Sequence, residues 1–252
     1  MSRPGQRFVP VRSIDNQAAL MRHRARELLA GQRTAALNAL RGHLAEIGLV
    51  APQGAQHAYD LKRMAVDGFD ENGEVVVPDC VRGALRPLVG QIDALDEAIG
   101  AIDKELAASV KSDETSKRLT TIPGIGPVTA SAIVATIQDA SVFASGREFA
   151  AFLGLTPRQS STGGKTRLGR ITKMGDRYLR KLLVVGACAT LRHRRGHSDA
   201  LRLWASGMLE RKTVKYKFNL TAVALANKVA RIVFVLMTNH DRERGRGSGR
   251  RS

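Results

Sequence analysis

The chain has few of the residues that build disulfide-stapled or metal-clustered proteins. Its 252 residues include two cysteines and one tryptophan, and aromatic residues make up 4% of the sequence. Cys80 and Cys188 have neither the spacing of metal ligands nor nearby histidine pairs, so we expect both to be reduced thiols of a cytoplasmic protein. A disulfide scaffold is thereby excluded.

Long uninterrupted apolar segments are missing as well. The residues that follow Met1 lead into no apolar stretch of the kind found in secretory signals, so we expect no leader. The most apolar segment, residues 222–237, contains Asn227, Lys228 and Arg231, which argues against a membrane span. With 43% hydrophobic residues, the composition is that of a soluble protein with one or two cores and no membrane partner.

Acidic residues are scarce in the last third of the chain. Residues 1–157 carry 17 basic and 18 acidic side chains, whereas residues 158–240 carry 18 basic and 3 acidic ones. The formal net charge of +17 is therefore concentrated after residue 157, as expected for a surface that binds a polyanion. We predict nucleic acid as the partner, with an anionic membrane surface as the lesser alternative.

The main candidate for a functional segment lies at the start of this basic part, at residues 149–180. An apolar helical pattern is expected to end at Gly154. We predict a polar loop over residues 159–165, whose hydroxyls and paired glycines let a backbone approach a phosphate closely. Asp176 is the expected N-cap of the basic helix that follows.

Residues 158–181 contain eight basic side chains against one acidic one, and the hydroxyl groups of Ser160, Ser161 and Thr162 lie within that positive field. Such a loop can hold a phosphodiester and offer it an oxygen nucleophile. The alternative is an ordinary Gly/Ser turn between two helices. The residues that we predict to contact nucleic acid here are Arg158, Gly163, Gly164, Lys165, Arg167, Arg170, Lys173, Arg177 and Arg180.

Two long helices are predicted before this segment. Ser13 is a suitable N-cap for the first, which we expect to run to about Ile47. The second is started or kinked by Pro87 and has an unbroken heptad seam, formed by Val81, Leu85, Leu88, Ile92, Leu95, Ile99, Ile102 and Leu106. This seam packs on the first helix as an antiparallel pair, pairs with another subunit as a coiled coil, or does both.

The connector between the two helices, residues 48–80, is rich in glycine and proline and has room for one short helix near residues 57–64. The first helix itself is rich in arginine. We interpret these side chains as a solvated face, with a surface that follows a nucleic-acid backbone as the alternative; they are Arg22, Arg24, Arg26, Arg33 and Arg41.

A second phosphate-binding candidate precedes the basic segment. Residues 121–134 place an Ile-Pro-Gly-Ile-Gly sequence before a helix of small residues, which resembles a helix-hairpin-helix motif. The backbone N–H groups of such a turn and of the following helix N-terminus can hold a DNA phosphate without reading its sequence. The alternative is a plain tight turn between packed helices. The turn residues in question are Pro123, Gly124, Ile125 and Gly126.

Four linked motifs carry a family resemblance. They are residues 154–158 (Gly-Leu-Thr-Pro-Arg), 161–165 (Ser-Thr-Gly-Gly-Lys), 167–173 (Arg-Leu-Gly-Arg-Ile-Thr-Lys) and 175–180 (Gly-Asp-Arg-Tyr-Leu-Arg). In this order they resemble the C-terminal domain of the IS110/IS1111 family of insertion-sequence transposases. The likeness runs from Arg7-Phe-Val-Pro-Val to about residue 240, nearly the whole chain.

The resemblance implies a mechanism. Intact members have an N-terminal RuvC-like domain whose four acidic residues bind Mg²⁺, then a helical coiled-coil segment and a C-terminal domain that supplies a serine. That serine attacks DNA to form a covalent phosphoserine, and members act as oligomers directed by a guide RNA. Carried onto this chain, the nucleophile falls on Ser161, with Ser160 and Thr162 as local alternatives.

The chain departs from the family at its beginning. The Arg7-Phe-Val-Pro-Val segment follows the RuvC-like domain in the family, and six residues precede it here. The acidic quartet cannot be placed, and the acids on the solvated face of the heptad helix do not replace it; these are Asp93, Asp96, Glu97, Asp103 and Glu105. We therefore expect an N-terminally truncated transposase that binds nucleic acid, holds no cofactor alone and does not catalyse strand exchange alone.

The predicted fold is mainly α, with a helical coiled-coil hairpin before a compact helical domain. We expect a linker remnant at 1–12, the coiled-coil segment at 13–115, the serine-bearing domain at 116–240 and a disordered basic tail at 241–252. In a prokaryotic cell such a protein would be cytoplasmic and nucleoid-associated. The rival hypotheses are a non-enzymatic nucleic-acid-binding protein and, disfavoured by the lack of clustered carboxylates, a helix-hairpin-helix repair nuclease.

Overall fold

The computed structural model describes residues 12–70, 72–165, 167–194, 199–211 and 217–248. Within these residues there are nine α-helices, a short 3-10 helix at Ala140–Val142 and one two-stranded sheet. The prediction of a mainly α fold is confirmed. The chain divides into two compact units, one formed by Met21–Glu105 and the other by Met1–Leu20 with Leu106–Ser252.

The first unit contains α2 (Ala55–Asp67) and the parts of α1 (Ile14–Glu46) and α3 (Asp79–Ser112) that lie between Met21 and Glu105. The Ser13 hydroxyl accepts a hydrogen bond from the Asn16 backbone N–H at 3.2 Å, which confirms Ser13 as the N-cap of α1. Helix α1 ends one residue before its predicted end at Ile47, and α3 includes the whole predicted seam, because their apolar side chains recur at helical spacing.

Helix α3 contains Pro87 in its interior, eight residues after its first residue Asp79. Of the two alternatives for Pro87, that it starts the helix is wrong, and that it kinks the helix stays a prediction. The turns on both sides of the proline bury apolar side chains, which offsets the one backbone hydrogen bond that the missing N–H removes. In the shared core, Leu85 and Ile92 of α3 pack with Leu40 of α1 and Leu61 of α2. The first part of the seam therefore packs on α1 and α2 within one chain, and the predicted coiled coil stays a prediction.

Arginines of α1 bind acids of α3 in antiparallel order. Arg26 Nε lies 2.5 Å from Asp103 Oδ1, and Arg33 Nη1 lies 3.0 Å from Asp96 Oδ1. Because these guanidinium groups are partly buried and ion-paired, our interpretation of the arginines as a solvated face is wrong for both. Ion pairs of this exposure contribute about 1 kcal/mol or less each, so their main effect is to fix the register of the two helices.

The second unit contains the remaining elements. In chain order they are α4 (Glu114–Thr120), α5 (Pro127–Thr136), α6 (Gly146–Phe152), β1 (Pro157–Gln159), β2 (Leu168–Ile171), α7 (Arg177–Arg192), α8 (Ala200–Arg211) and α9 (Lys217–Ser248). Helix α9 packs against α4, α6, α7 and α8. It supplies the centre of the core, where Leu225 and Val233 are fully buried together with Phe149 of α6 and Leu179 of α7.

Part of α9 is long and apolar enough to cross a membrane by length and composition. This part, Lys217–Asn239, is the one such segment in the described chain. The apolar face of this segment is covered by the other helices of the unit. The segment also contains two charged residues, Lys228 and Arg231. We therefore interpret α9 as the core helix of a globular unit, in agreement with the sequence prediction.

Helix α9 also continues further than expected. It extends to Ser248, whereas the sequence predicted a disordered tail from residue 241. The tail prediction is corrected up to Ser248, because an existing helix adds residues at little cost and arginine and glutamate are good helix formers. The predicted extended segment at residues 7–11 and the last four residues of the chain lie outside the described residues.

Candidate nucleic-acid interface

Residues 157–173 form a β-hairpin, which we call the basic hairpin. Strands β1 and β2 pair antiparallel, and Thr162 forms a bridge with Lys165 across the tip. Between them, Gly163 and Gly164 have φ angles of +56° and +75°, as a tight two-residue hairpin turn requires. The predicted polar loop is thus an ordered hairpin, and the prediction of a plain loop is corrected.

The base of the basic hairpin is fixed to the helices on either side. Arg180, in the first turn of α7, donates from one Nη1 to the carbonyl oxygens of Leu153 at 3.0 Å and Met174 at 2.9 Å. Arg158 donates to the Thr172 carbonyl oxygen across the hairpin at 3.2 Å. Both residues were predicted to contact nucleic acid. That role stays a prediction, and the contacts described here hold the hairpin in place.

The remaining predicted cations of this segment have exposed side chains. One acid lies among them, Asp176, and its carboxylate accepts a hydrogen bond from the Leu179 N–H at 2.8 Å. Asp176 is thereby confirmed as the N-cap of α7, and its charge lies at the helix N-terminus, where it is favourable. The exposed cations are Lys165, Arg167, Arg170, Lys173 and Arg177.

Ser161 lies on the tip-proximal part of the hairpin with its side chain exposed. Its Oγ accepts a hydrogen bond from the Gln159 side-chain amide, with Nε2 and Oγ 2.9 Å apart. The two local alternatives differ in position. The Ser160 backbone N–H donates to the Arg167 carbonyl oxygen in the hairpin ladder, and Thr162 belongs to the bridge at the turn. Sequence reasoning missed Gln159, although its i,i+2 spacing from Ser161 on an extended chain was a usable signal.

The Ile-Pro-Gly-Ile-Gly turn joins α4 to α5, as a helix-hairpin-helix arrangement requires. Its residues differ in exposure. Ile125 is 4% exposed and belongs to the core, and Pro123 is half-buried. Gly126 is exposed and is the N-cap of α5, and it has no side chain that could accept a hydrogen bond from the first N–H groups of that helix. Phosphate binding at this turn stays a prediction, carried by Gly126 rather than by Ile125.

Gly124 has a packing role in the same turn. Its φ is +90°, and a Cβ placed there would lie 2.6 Å from Thr190 Oγ1 and 2.7 Å from the Gly186 carbonyl oxygen of α7. The turn therefore contacts α7 at Gly186, while Arg180 of α7 binds Leu153 and Met174, the residues that flank the basic hairpin. Gly186 and Arg180 are about 9 Å apart along the axis of α7. The two predicted phosphate-binding elements are therefore anchored near neighbouring turns of the same helix.

A metal site has no ligands in the described part of the chain. No group of three or more histidine, cysteine, aspartate or glutamate side chains is close enough to hold an ion there. The acids of α3 are used differently. Asp96, for example, accepts hydrogen bonds from the Tyr59 hydroxyl at 2.7 and 2.8 Å and pairs with Arg33.

Comparisons with known proteins assign the family. A family model described as "Transposase IS116/IS110/IS902 family" matches residues 116–202, which include the Gly124 turn, the basic hairpin and α7. A probable family 20 transposase of Pseudomonas aeruginosa is 41% identical over 94% of this chain and 68% of its own length. The chain belongs to the IS116/IS110/IS902 family of transposases.

Two further relatives agree with this assignment. The transposase for insertion sequence element IS1328 of Yersinia enterocolitica is 39% identical over 94% of this chain. A putative transposase of Sinorhizobium fredii, y4pF/y4sB, is 44% identical over 95% of it. The chain spans 59% to 68% of the length of these three relatives. The resemblance noted from the four motifs is therefore confirmed at the level of the family.

Proposed function

We propose that this transposase-family chain binds DNA through the basic hairpin and supplies Ser161 as the nucleophile for strand exchange. One observation carries the proposal. An exposed serine hydroxyl lies on a hairpin whose sequence contains no acid and whose exposed cations are Arg158, Lys165, Arg167, Arg170 and Lys173. Exposed lysines and arginines bind phosphate oxygens, and a hydroxyl held among them meets the phosphodiester that they bind.

The proposed reaction is a transesterification. Ser161 Oγ forms a bond to phosphorus while the bond from phosphorus to a deoxyribose oxygen breaks. The serine proton is transferred overall to that leaving oxygen, which departs as a hydroxyl. The exposed cations, among them Lys165 and Arg170, stabilise the negative charge that spreads over the phosphoryl oxygens. The product keeps the energy of the phosphodiester in a phosphoserine, so a DNA hydroxyl can reverse the step on a new strand.

Mg²⁺ is the cofactor that the family resemblance implies. The described residues do not fit it, because no cluster of acids or histidines is present among them. We therefore derive no step through a metal from this chain. In our proposal its ligands come from outside the described residues, and the chain has no strand-exchange activity without them.

The partners proposed with DNA are a guide RNA and further copies of the chain. The family resemblance implies the guide RNA, and its phosphate backbone presents the same charge to the same cations. The structure gives less support to oligomer formation through the heptad seam. Leu85, Ile92 and Ile99 of that seam are already buried within one chain and are not exposed to a second copy. A coiled-coil contact between subunits would use another face of the long helices.

The binding part of the proposal is tested by the salt dependence of affinity for duplex DNA. Replacing Lys165, Arg167 and Arg170 by glutamine should reduce the slope of log K against log salt by about 2.7, because each phosphate contact contributes about 0.9. A matched control replaces three exposed cations of the first unit, Arg24, Arg86 and Lys104. Its slope should equal that of the wild type. Equal slopes for both triple variants would contradict DNA binding at the hairpin.

A non-enzymatic nucleic-acid-binding protein is the second candidate. The lack of a metal-ligand cluster in the described residues favours it. The two candidates share the DNA affinity and differ at Ser161. If the binding protein is correct, Ser161→Ala changes nothing, including transposition when an acidic RuvC-like domain is supplied in trans.

A further inference from the structure

We propose that Gln159 is the positioning residue of Ser161. This inference rests on the proposed nucleophilic role of that serine and adds the group that orients it. The observation is the hydrogen bond from the Gln159 side-chain amide to Ser161 Oγ, in which Nε2 and Oγ are 2.9 Å apart. An amide nitrogen can only donate, so the serine oxygen is the acceptor and its own proton stays free for transfer.

The backbone of the hairpin explains why these two side chains meet. Side chains on an extended chain alternate between its two faces, so residues 159 and 161 share one face and Ser160 belongs to the other. The strand is held in this conformation by the pairing of Gln159 with Leu168 and by the bond from the Ser160 N–H to the Arg167 carbonyl oxygen. Ser161 is thus the one of the three candidate hydroxyls that shares a hairpin face with Gln159.

The amide has two chemical consequences for the serine. It selects one orientation of a side chain that is otherwise exposed and free to rotate, which lowers the entropy lost when the hydroxyl meets a phosphodiester. It also donates a hydrogen bond to the oxygen on which negative charge develops as the proton leaves, and a donor to the charged form lowers the pKa of the group that carries it. A donated hydrogen bond of ordinary strength changes a rate or an equilibrium by about 3- to 10-fold.

A thiol at position 161 tests the interaction without any DNA. In a background with Cys80→Ser and Cys188→Ala, the Ser161→Cys variant carries a single thiol whose pKa is read from the pH dependence of alkylation by iodoacetamide. With Gln159 present, the thiolate receives the amide hydrogen bond. Gln159→Leu should raise the thiol pKa and slow alkylation at neutral pH about 3- to 10-fold. Gln159→Glu should raise it further, because a carboxylate repels the thiolate.

The matched control is Gln138→Leu, which makes the same substitution at an exposed position of the same unit outside the hairpin. It should leave the alkylation profile unchanged. Far-UV circular dichroism confirms that each variant keeps its helices. Equal thiol pKa values with glutamine and leucine at position 159 would overturn the proposal. A faster alkylation with Gln159→Glu would also overturn it, because a carboxylate in contact with the thiolate raises the thiol pKa and slows alkylation.

The reaction itself gives the second readout. In a strand-exchange reaction with the acidic domain supplied, Gln159→Leu should slow formation of the DNA adduct about 3- to 10-fold while the Kd for DNA stays unchanged. An unchanged adduct rate would overturn the positioning role. If no adduct forms with the wild type, the proposed nucleophile fails instead, and the thiol measurement still decides whether Gln159 positions residue 161.

Discussion

Basic residues of the hairpin region fall into two groups by what their side chains contact. Arg158 donates to the Thr172 carbonyl oxygen across the hairpin, and Arg180 donates to the carbonyl oxygens of the flanking residues Leu153 and Met174. Lys165, Arg170 and Lys173 have exposed side chains on the hairpin itself. Sequence alone placed all five in one set, because charge does not reveal which donors are used internally. Substitutions in the first group should displace Ser161, and those in the second should weaken binding to phosphate.

His23 gives a prediction for the pH dependence of stability. Its side chain is 1% exposed, and burial together with the nearby Arg26 and Arg22 lowers its pKa from 6.5 to about 4, against a smaller opposing effect of Asp103. Between these two values the unfolded state binds a proton that the folded state does not. Stability from this residue is therefore fully present above pH 6.5 and is lost as the pH falls towards 4.

The free energy of unfolding should decrease by about 1.3 kcal/mol between pH 7.5 and 5.5 through this residue. Urea unfolding followed by far-UV circular dichroism at the two pH values measures it. In His23→Leu this part of the pH dependence should disappear, whereas His43→Gln, at an exposed histidine of the same helix, should keep it. An unchanged pH dependence in His23→Leu would show that His23 titrates normally in the folded protein.

At the scale of elements, helices were predictable from the sequence and the basic hairpin was not. Apolar periodicity and caps such as Ser13 and Asp176 locate α1, α3 and α7, since those signals lie within each helix. The strands β1 and β2 are three and four residues long and largely exposed, so they lack the apolar alternation that identifies a strand. The Gly163-Gly164 pair was the available cue, and it fits a two-residue turn better than a loop.

The contact between the Ile-Pro-Gly-Ile-Gly turn and α7 gives a prediction at this scale. Gly124→Ala should destabilise the protein by about 2 kcal/mol or more, because a Cβ combines the strain of a positive φ with a clash against α7. Chemical unfolding followed by the fluorescence of Trp204, in the same unit, measures the loss.

Gly126→Ala, two residues along the same turn, is the matched control for stability. Its φ is −91°, and an added Cβ would meet no atom within 4 Å. This variant should lose less than about 1 kcal/mol. Equal losses at the two positions would mean that the turn does not pack on α7 through Gly124.

For the molecule as a whole, the charge distribution and the family could be predicted from the sequence. The partners that individual side chains bind could not. The excess of basic residues after position 157 and the four motifs in order sufficed to assign the family. The ion pairs of Arg26 and Arg33 with α3, and the hydrogen bond between Gln159 and Ser161, depend on which side chains the fold brings together. The ion pairs join residues that are distant in sequence and leave no local signal, and the i,i+2 spacing of Gln159 and Ser161 is informative only once the segment is known to be extended.

The central claim is that Ser161 is the nucleophile, and the direct measurement is the identity of the residue covalently joined to DNA. Element-end DNA, its guide RNA, Mg²⁺ and the acidic RuvC-like domain of a full-length relative are combined with the chain. Protein–DNA adducts are then isolated under denaturing conditions and mapped by tandem mass spectrometry. We predict a phosphoserine at position 161 with the wild type and no adduct with Ser161→Ala at unchanged DNA affinity. An adduct on Ser160 or Thr162, or no adduct with the wild type, would contradict the account.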